Sequence, residues 1–391
     1  MKKIFLVSEY ILPNQNTTGY LFHKLHENLK KQYGEQLQLI VKEDPDHLIE
    51  NAILITDVNL NKKQLVQRLI FELIVSFKFL LKLILNVKNN DVVFSGTNPS
   101  LLLPVIYFAQ KIKKFKWILL IHDVFPENLI AAKILKKNNI FYRFLKYFFD
   151  KFYSSADIRI VIGKDMKTLV DNKVRTNNSI IIQNWIDHHD IDVHPKIENP
   201  IIRQLGWQND QPIFQFFGNI GRVQGIHNIL EAFKLIEKNL RPKILFIGGG
   251  AYENELRAEL ERIKDPNIQY IGSIEQSQKS QGLNAGDIAI VTLADGMLGL
   301  GVPSKAYFSM AADKPILAIM EEDSEVARMI QKYEIGWVVA PENPKKLAEA
   351  FIEIMQKYKS AKNTSPRNIL VENYSEEIAM NKLINVIQKI F

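Results

Sequence analysis

The chain has 391 residues and no cysteine, which excludes disulfide bonds and thiolate metal sites. A chain without disulfides suits a reducing cytosol, so we expect a cytoplasmic protein. The sequence also has no internal repeat, no low-complexity tract and no known nucleic-acid motif. We therefore expect no nucleic-acid partner.

Long uninterrupted apolar runs are missing as well. In the opening residues MKKIFLVSEY, the apolar run covers only Ile4–Val7 before polar residues follow, so this segment predicts a buried strand rather than a signal peptide. The stretch RLIFELIVSFKFLLKLIL, at Arg68–Leu85, carries a charge every four to six residues. It is therefore a poor candidate for a membrane span.

Two segments favour contact with a membrane surface. Arg68–Leu85 has a wide apolar arc, and Phe141–Tyr153 interleaves aromatic residues with Arg143, Lys146 and Lys151. Aromatic and cationic side chains together suit the headgroup boundary of a bilayer. The sequence predicts interfacial binding by at least one of these helices; the alternative is that both simply face the core.

The net charge of +7 is unevenly distributed. Residues 1–195 contain 27 Lys and Arg against 19 Asp and Glu, whereas residues 196–391 contain 23 against 24. A basic half can attract nucleic acid, an anionic membrane or a phosphorylated substrate, or it can be only a solvated surface.

Short Val- and Ile-rich runs alternate with helical patterns, which predicts an α/β protein with parallel sheets covered on both faces. Two such sets predict two doubly wound domains. The predicted strands are Lys3–Ser8, Gln38–Lys42, Asp91–Ser95, Trp117–Ile121, Ile158–Ile162 and Ile180–Gln183, then Ile213–Phe217, Lys243–Ile247, Ile268–Ile271, Ile288–Thr292, Pro315–Ile319 and Gly336–Val339. The predicted helices include Tyr20–Gln32, Pro99–Ile112, His227–Lys238, Ala251–Lys264, Ser304–Ala312, Ser324–Tyr333 and Pro344–Lys357.

The domains are predicted at residues 1–185 and 201–372, with a polar, proline-bearing linker at 186–200 and a last segment at 373–391. The linker sequence Asp187-His188-His189-Asp190 invites a metal site. Adjacent side chains are expected to point in different directions, so we predict a solvated linker and no metal.

Ligands of doubly wound sheets bind at the carboxyl ends of the strands, and two such domains facing each other across a cleft make that cleft the default site. Three glycine-rich loops follow predicted strands of the second domain: FFGNIGRVQGI, the GGG of Gly248–Gly250, and GLGVPSK. Glycines allow close approach of backbone N–H groups to a phosphate, and Arg222 and Lys305 add positive charge. The three loops together predict a diphosphate site with room for a nucleoside.

The segment from Gly299 to Lys305 is typical of a helix start that faces an anion. Pro303 is tolerated in a first helical turn, Ser304 can act as the cap, and Lys305 stands beside the first N–H groups.

The same segments carry a resemblance to a known family. The chain resembles a GT-B glycosyltransferase of glycosyltransferase family 4, specifically the WbuB-type enzymes of bacterial O-antigen and capsule synthesis. The matching pieces are IHDVFPENL (Ile121–Leu129), IIQNWID (Ile181–Asp187), FFGNIGRVQGIHNILEAF (Phe216–Phe233), FIGGGAYENEL (Phe246–Leu256) and GVPSKAYFSMAADKPILA (Gly301–Ala318).

The resemblance implies a nucleotide-sugar donor on the second domain, retention of anomeric configuration, no metal and no cofactor. It implies that Arg222 and Lys305 stabilise the departing diphosphate, as fixed positive charge should, and that residues 373–391 cross back to the first domain. The implied donor-binding residues are Gly218, Asn219, Gly221, Gln224, Gly248, Gly249, Gly250, Gly301, Val302, Pro303 and Ser304.

In the first domain, the resemblance places His122 near the donor sugar, as an orienting hydrogen-bond partner rather than a nucleophile. The loop after the first strand, expected to end at Gly19 before a helix, should border the acceptor. The candidate acceptor-binding residues are Glu9, Thr18, Gly19 and Asp123. Glu127 is expected to be a helix-start carboxylate.

The sequence departs from the broader family at several positions. Leu300 and Phe308 stand where many members have two glutamates, the second of which binds the nucleotide ribose. Asn219 and Gln224 replace the usual Arg and Lys of the phosphate loop, and Asp313 stands where glycine is usual. Transfer of the family's ribose recognition to this chain is therefore not justified.

Together these features predict a retaining glycosyltransferase, peripheral at the inner face of a bacterial cytoplasmic membrane. Its donor is expected to be a UDP-sugar, and its acceptor a saccharide linked to a polyprenyl diphosphate. The basic first half would then meet anionic lipid. The alternatives are a nucleotide-sugar 2-epimerase of the same fold and a non-catalytic protein that binds sugar nucleotides.

Overall fold

The computed structural model describes residues 2–44, 46–49, 51–56, 65–99, 101–207, 211–358 and 364–391, with the side chains of 65–69 excepted. The side chain of Arg68 therefore lies outside the described residues. So does Ser100, which falls within the predicted helix Pro99–Ile112. The chain forms two compact units. The first contains residues 1–183, 299–301 and 377–391, and the second contains residues 184–298 and 302–376. The predicted domain bounds stay a prediction.

The first unit is built on a parallel sheet. Its strands are β1 (Ile4–Ser8), β2 (Leu37–Lys42), β3 (Ala52–Ile55), β4 (Val92–Ser95), β5 (Lys116–Ile121), β6 (Ile158–Val161) and β7 (Ile180–Ile181). Among the described residues, the spatial order is β3-β2-β1-β4-β5-β6-β7. β1 and β4 are direct neighbours, with Leu6 beside Phe94, so the strand order reverses between them. Loops at such a reversal are where doubly wound sheets bind ligands.

Helices cover this sheet because its strands are apolar on both faces. They are α1 (Thr17–Tyr33), α2 (Leu65–Asn86), α3 (Leu102–Lys113), α4 (Asn128–Ala131), α5 (Ile140–Ser155) and α6 (Lys164–Val174). Every residue of β1 is buried, as is every residue of β4. The chain end is part of this unit: the Lys2 amine donates to the carbonyls of Ile390 and Phe391, at 2.9 and 2.7 Å.

The second unit repeats the same plan. Its strands are β8 (Ile213–Phe217), β9 (Lys243–Ile247), β10 (Ile268–Tyr270), β11 (Ile288–Thr292), β12 (Ile316–Ile319) and β13 (Gly336–Val339). In the described part of the chain they form one parallel sheet in the order β10-β9-β8-β11-β12-β13. The reversal lies between β8 and β11, where Phe214 is beside Ile288. The loops after these two strands are therefore neighbours at the carboxyl edge.

The helices of the second unit are α7 (Pro200–Gln204), α8 (Ile226–Leu235), α9 (Glu253–Ile263), α10 (Lys279–Leu283), α11 (Lys305–Ala311), α12 (Glu325–Tyr333), α13 (Pro344–Lys357) and α14 (Pro366–Tyr374); α15 (Glu376–Gln388) enters the first unit from Glu377 onward. α8 and α13 pack together over one sheet face. Phe214 and Phe351 meet there edge to face, with ring centroids 4.7 Å apart, and anchor the core.

The predicted α/β class with two doubly wound parallel sheets is confirmed. Two local expectations were wrong or incomplete. Ala52–Ile55 is a strand that the pattern did not indicate, because three of its four residues are only half-buried. α1 begins at Thr17, so Thr18 and Gly19 lie in its first turn rather than in the preceding loop. The cause is Asn16, whose side chain accepts from the Gly19 N–H at 2.8 Å and caps the helix.

No helix among the described residues combines the length and hydrophobicity that a membrane span requires.

Candidate functional site

The loop after β8 and the start of α11 meet at the carboxyl edge of the second sheet. Gly218 directly follows β8 and has a φ of +116°, and a Cβ atom there would lie 3.2 Å from Cε of Lys305. The Lys305 side chain therefore runs directly across the face of Gly218. A side chain at residue 218 would strain the backbone and displace the lysine.

The Lys305 amine is held by this loop. It donates to the carbonyl of Asn219 at 3.0 Å and to Oε1 of Gln224 at 2.6 Å. It also lies 3.8 Å from the ring centroid of Phe216, which is a cation–π contact. Burial lowers the pKa of Lys305 to about 7. The structure thus brings the predicted loop residues and Lys305 together, although Gln224 and Lys305 are 81 residues apart in sequence.

The GGG loop after β9 packs backbone to backbone on the first loop. A Cβ atom at Gly248 would lie 1.9 Å from the Gly218 carbonyl oxygen, and one at Gly250 would lie 2.4 Å from that of Ile220. The Ile220 N–H donates to the Gly249 carbonyl at 2.8 Å. Gly248 and Gly250 are therefore explained by loop packing, whereas a Cβ atom at Gly249 would lie 2.7 Å from Oγ of Ser273. Gly221 and Asn219 complete the turn of the first loop.

Arg222 lies apart from the Lys305 contacts. Its side chain is 73% exposed and its Nη2 pairs with Glu255 on α9 at 3.3 Å. An exposed pair of this kind adds little to stability. The guanidinium is therefore able to leave Glu255 for a ligand at small cost.

The segment before Lys305 is only partly as expected. Ser304 occupies the cap position of α11, but its side chain makes no capping hydrogen bond, so that detail of the prediction was wrong. The N–H groups of Ala306 and Tyr307 donate to the carbonyls of Pro303 and Ser304, at 3.2 and 3.0 Å. Val302 is buried and its carbonyl accepts from the Asn184 amide at 3.5 Å.

Two of the positions that depart from the broader family, Phe308 and Asp313, make specific local contacts. Phe308 is buried, and the Lys279 amine lies 3.5 Å from its ring centroid. Burial lowers the pKa of Lys279 to about 8, partly opposed by Asp190. Asp313 has a φ of +59°, and its carboxylate accepts from the Ser365 hydroxyl at 2.7 Å. The hydrogen bond with Ser365 explains why an aspartate occurs here, at a backbone conformation that favours glycine.

In the first unit, His122 follows β5 at the carboxyl edge. The N–H groups of His122 and Asp123 both donate to Oγ1 of Thr97 at 3.3 Å. Nε2 of His122 is buried and has no hydrogen-bond partner within the described residues. Burial lowers the pKa of His122 to about 4, so the ring is neutral at pH 7. A neutral imidazole with one unsatisfied nitrogen is suited to orient a ligand hydroxyl.

Thr97 was not among the predicted site residues. It is buried in the loop after β4, and both of its contacts fix the backbone that carries His122. The signal available in the sequence is its position, two residues beyond a predicted strand adjacent to the His122 strand.

Asp123 is bridged to Gly301 within the first unit. Although the residue reaches solvent, the protein atoms packed around its carboxyl raise the pKa of Asp123 to about 6. The Tyr153 hydroxyl donates to the Asp123 carbonyl and accepts from the Phe125 N–H, both at 3.2 Å. Gly301 was predicted in a donor loop with Val302, which belongs to the second unit.

Glu127 is a member of a buried charge cluster. It stands at the cap position of α4 without a capping bond, so the expected helix-start role was incomplete. Its carboxylate pairs with Lys146 and with Lys173, both at 2.8 Å, and Lys173 also pairs with Asp150 at 2.5 Å. Burial is outweighed by the two lysines, which hold the pKa of Glu127 below its usual value.

The remaining predicted acceptor residues border the loop after β1. Glu9 is half-buried directly after that strand. Gly19 is buried, and a Cβ atom there would lie 2.3 Å from the Leu12 carbonyl. Gln15 closes the loop, because its Oε1 accepts from the N–H groups of Ile11 and Leu12 at 3.1 and 3.0 Å.

The Asp187-His188-His189 side chains do not diverge as expected. Their possible ligand atoms lie within 4.8 Å of one another, because the backbone at His188–Asp190 forms a tight 3₁₀ turn. The expectation that adjacent side chains separate was wrong. Arg367 donates to the His188 carbonyl at 2.7 Å, and this fixed positive charge disfavours a cation beside it.

Comparison with known proteins gives three findings on sequence. The family model described as Glycosyl transferases group 1 matches residues 198–370. The probable glycosyltransferase WbjE of Pseudomonas aeruginosa is 41% identical over 388 residues, which cover 98% of this chain and 96% of that protein. The putative colanic acid biosynthesis glycosyl transferase WcaI of Escherichia coli K12 is 24% identical over 231 residues, which cover 57% of this chain and 54% of that protein.

Among solved structures, the complex of HepE from Anabaena with UDP and glucose is similar over 100% of both chains, with a TM-score of 0.74 and 13% identity. This likeness concerns the fold. Together with the two parallel-sheet units, it confirms the predicted GT-B architecture.

Proposed function

The chain belongs to the glycosyl transferases group 1 family, and from that premise we propose a retaining glycosyltransferase of the WbuB type in glycosyltransferase family 4. In this proposal it transfers a hexosyl or N-acetylhexosaminyl group from a UDP-sugar. The acceptor is a saccharide linked to a polyprenyl diphosphate. The likeness to a colanic acid enzyme supports a role in surface polysaccharide synthesis, as in O-antigen or capsule.

The observation that carries the proposal is the placement of the Lys305 amine. It lies across Gly218 at the strand-order reversal, within hydrogen-bond distance of the predicted phosphate loop. Doubly wound sheets bind nucleotides at this reversal. A lysine with a pKa of about 7 regains its proton beside a diphosphate, because the added negative charge favours the charged form. UDP in the complex of the structural neighbour HepE supports the choice of nucleotide.

In the proposed reaction, the bond between the anomeric carbon and the diphosphate oxygen breaks, and both bonding electrons leave with the diphosphate. Lys305 and Arg222 stabilise that developing charge. The acceptor hydroxyl bonds to the same face of the anomeric carbon, and its proton passes to the departing phosphate oxygen. We propose the donor-loop residues from Gly218 to Gln224, Gly248–Gly250 and Gly301–Ser304 as the surroundings of the donor.

The first unit supplies the polar groups proposed for the acceptor side. His122 is proposed to orient a hydroxyl of the donor sugar through its buried Nε2, whereas Asp123, Glu9, Thr18 and Gly19 contact the acceptor. A basic first half attracts the acceptor's own diphosphate and an anionic membrane. The protein is proposed to act at the inner face of a bacterial cytoplasmic membrane.

Alanine variants of the two cationic residues test this mechanism. Lys305→Ala and Arg222→Ala are each expected to lower kcat by about 10²–10³-fold, since each removes charge that stabilises the transition state. Glu255→Ala is the matched control, because it removes only the partner of Arg222 in the empty protein. Unchanged turnover in both cationic variants would overturn the proposed roles.

The assay also separates transfer from the alternatives. Incubation with a UDP-sugar alone is expected to give slow hydrolysis and no epimer; formation of an epimer without acceptor would replace the proposal by a 2-epimerase. Donor binding with no transfer to any polyprenyl-diphosphate acceptor would indicate a non-catalytic sugar-nucleotide protein. Thermal stabilisation by a panel of UDP-, GDP- and CMP-sugars identifies the donor.

The proposed reaction uses no metal and no resident cofactor, because Lys305 and Arg222 provide the positive charge that a divalent ion supplies elsewhere. Turnover is therefore expected to be the same in EDTA and in excess Mg²⁺. A tenfold loss in EDTA that Mg²⁺ restores would contradict this part of the proposal.

A further inference from the structure

α2 of the first unit is apolar on two faces, although only one of them is buried. Every fourth residue from Phe71 to Leu83 is at most 5% exposed. A second stripe with the same spacing, Leu73, Phe77 and Leu81, is 61%, 58% and 43% exposed. A helix that covers a sheet normally carries polar residues on its outer face. The outer stripe of α2 is therefore unexplained by folding.

The adjoining helices also carry exposed apolar residues. α2 packs against α3, and α3 against α5. Phe108 of α3 is 53% exposed, and Phe144 and Phe148 of α5 are 58% and 38% exposed. Phe152 lies between them, with ring centroids 6.4 Å from Phe108 and 6.5 Å from Phe148. Phe152 is buried, so the exposed rings of α3 and α5 rest on one shared ring beneath the surface.

We name the exposed large hydrophobic residues of these three helices the α2–α3–α5 face. They are Ile70, Leu73, Phe77, Leu81, Leu85, Phe108, Ile112, Ile140, Phe141, Phe144, Tyr147 and Phe148. Of the twenty large hydrophobic residues exposed in the described part of the chain, twelve lie on these three helices. At roughly half exposure, each contributes about 100 Å², so the face exposes on the order of 1,000 Å² of apolar area. Isolated soluble proteins rarely expose more than a few hundred Å² in one patch.

Exposed basic side chains, which we name the basic rim, lie on α3, α5 and the segment between them. Lys111, Lys136, Lys137, Arg143 and Lys151 are all exposed on α3, α5 or the segment between them. The Lys151 amine lies 4.3 Å from the ring centroid of Tyr147, so it can lie over the aromatic surface and still reach water.

Negative charge on α5 is neutralised. Asp150 is the only acidic residue from 128 to 151, and it pairs with Lys146 and Lys173 at 3.1 and 2.5 Å. A second copy of this chain would therefore bring like charges together. An anionic bilayer offers opposite charge at the headgroups and apolar chains below them.

We infer that the α2–α3–α5 face inserts into the headgroup and outer acyl region of an anionic membrane. Its aliphatic stripe and aromatic rings bury in the acyl boundary, and its basic rim contacts lipid phosphates. Binding is thus apolar as well as electrostatic. The inference rests on the proposed function only for the lipid-linked acceptor, which the bound enzyme would meet in the same bilayer.

Co-flotation with vesicles tests the inference directly. The full chain is mixed with vesicles of phosphatidylcholine containing phosphatidylglycerol, at low and at high salt. The double variant Leu73→Ser with Phe77→Ser is expected to lower partitioning at least tenfold at both salt concentrations. The matched control, Leu235→Ser with Leu240→Ser, changes two residues of similar exposure on the second unit and is expected to bind normally.

The electrostatic part has its own variant. Lys136→Gln with Lys137→Gln is expected to weaken binding several-fold at low salt and little at high salt, because salt screens exposed charges. Partitioning that is unchanged in the Leu73 and Phe77 variant overturns the inference. The inference is also overturned if the unmodified chain does not bind vesicles and instead forms dimers, and if the Leu73 and Phe77 variant is monomeric.

Failure of the proposed function gives a different result. In the variant of Leu73 and Phe77, transfer to a short-chain, water-soluble acceptor is expected to remain within twofold of the unmodified chain, which also shows that the variant folds. A chain that binds vesicles through the face but transfers no sugar to either acceptor refutes the proposed function and leaves this inference standing.

Discussion

Replacement of Lys305 by arginine should change how donor use depends on pH. Burial holds the pKa of Lys305 at about 7 in the empty protein, and only the protonated amine attracts the donor diphosphate. The pKa of a free enzyme group appears in the profile of kcat/KM. We therefore expect kcat/KM for the donor to fall above pH 7.

The size of the effect follows from that value. Two pH units above a pKa of about 7, roughly 1% of the amine is protonated, so kcat/KM at pH 9 should be about 100-fold below its plateau, or about 2.7 kcal/mol. A guanidinium stays charged throughout this range. For Lys305→Arg, kcat/KM is therefore expected to be lower than that of the unmodified chain at pH 6, because Arg fits the Gly218 contact poorly. It is expected to stay constant up to pH 9.

The assay is initial-rate transfer at saturating acceptor and subsaturating UDP-sugar, from pH 6 to pH 9. Arg222→Lys serves as control, since it leaves Lys305 in place and should retain the descending limb. A level profile for the unmodified chain between pH 7 and 9 would refute the reasoning. An identical descending limb in Lys305→Arg would do the same, because it would assign the proton to another group.

Three further predictions concern stability. Because the pKa of Lys305 is lowered in the folded chain, the unfolded chain binds more protons between about pH 7 and 10.5. The free energy of unfolding should therefore rise with pH over this window. Lys305→Met should raise the free energy of unfolding at pH 7, measured by chemical denaturation, by roughly 2–4 kcal/mol. Gly248→Ala should cost about 3 kcal/mol or more, because its Cβ would meet the Gly218 carbonyl, whereas Gly296→Ala, also at positive φ but in open space, should cost about 1 kcal/mol. Lys173→Met should cost about 3–5 kcal/mol by leaving Glu127 and Asp150 with fewer partners, and adding Glu127→Gln should recover part of that loss.

The buried strands could be predicted from the sequence almost to the residue. Ile213–Phe217 and Lys243–Ile247 are apolar apart from Gln215 and Lys243, because both faces of a parallel sheet are covered. Ala52–Ile55 escaped because an edge strand with half-buried residues lacks that run. The order of strands in each sheet then follows from general rules of doubly wound folds.

The convergence of site loops could be predicted, but not their contacts. The carboxyl ends of neighbouring parallel strands share an edge, which is enough to bring Gly218 and Lys305 into one region. That the lysine side chain crosses Gly218 and rests on Phe216 depends on tertiary packing. Thr97 and Tyr153 act on the His122 loop through backbone groups, and such contacts leave no residue pattern.

Glycine has more than one structural reason at two places. The sequence predicts that a loop ends at Gly19 before a helix, whereas Gly19 lies inside the first helical turn and is small because the Leu12 carbonyl approaches it. Gly248–Gly250 form one of the three loops predicted to approach a phosphate; that role stays a prediction, and the structure adds that Gly248 and Gly250 pack against the neighbouring loop. Glycine permits close approach, and sequence alone does not reveal what approaches.

The two hydrogen bonds of Lys305 have a consequence for the end of the catalytic cycle. An ammonium group has three N–H donors, and the contacts to Asn219 and Gln224 occupy two of them. A nucleoside diphosphate left in the site would receive one direct bond from this amine without rearrangement. Under the proposed function, the amine keeps its partners in the loop when the product leaves, and its pKa returns towards about 7. The residue proposed to attract the donor would then also hold the spent nucleotide less strongly.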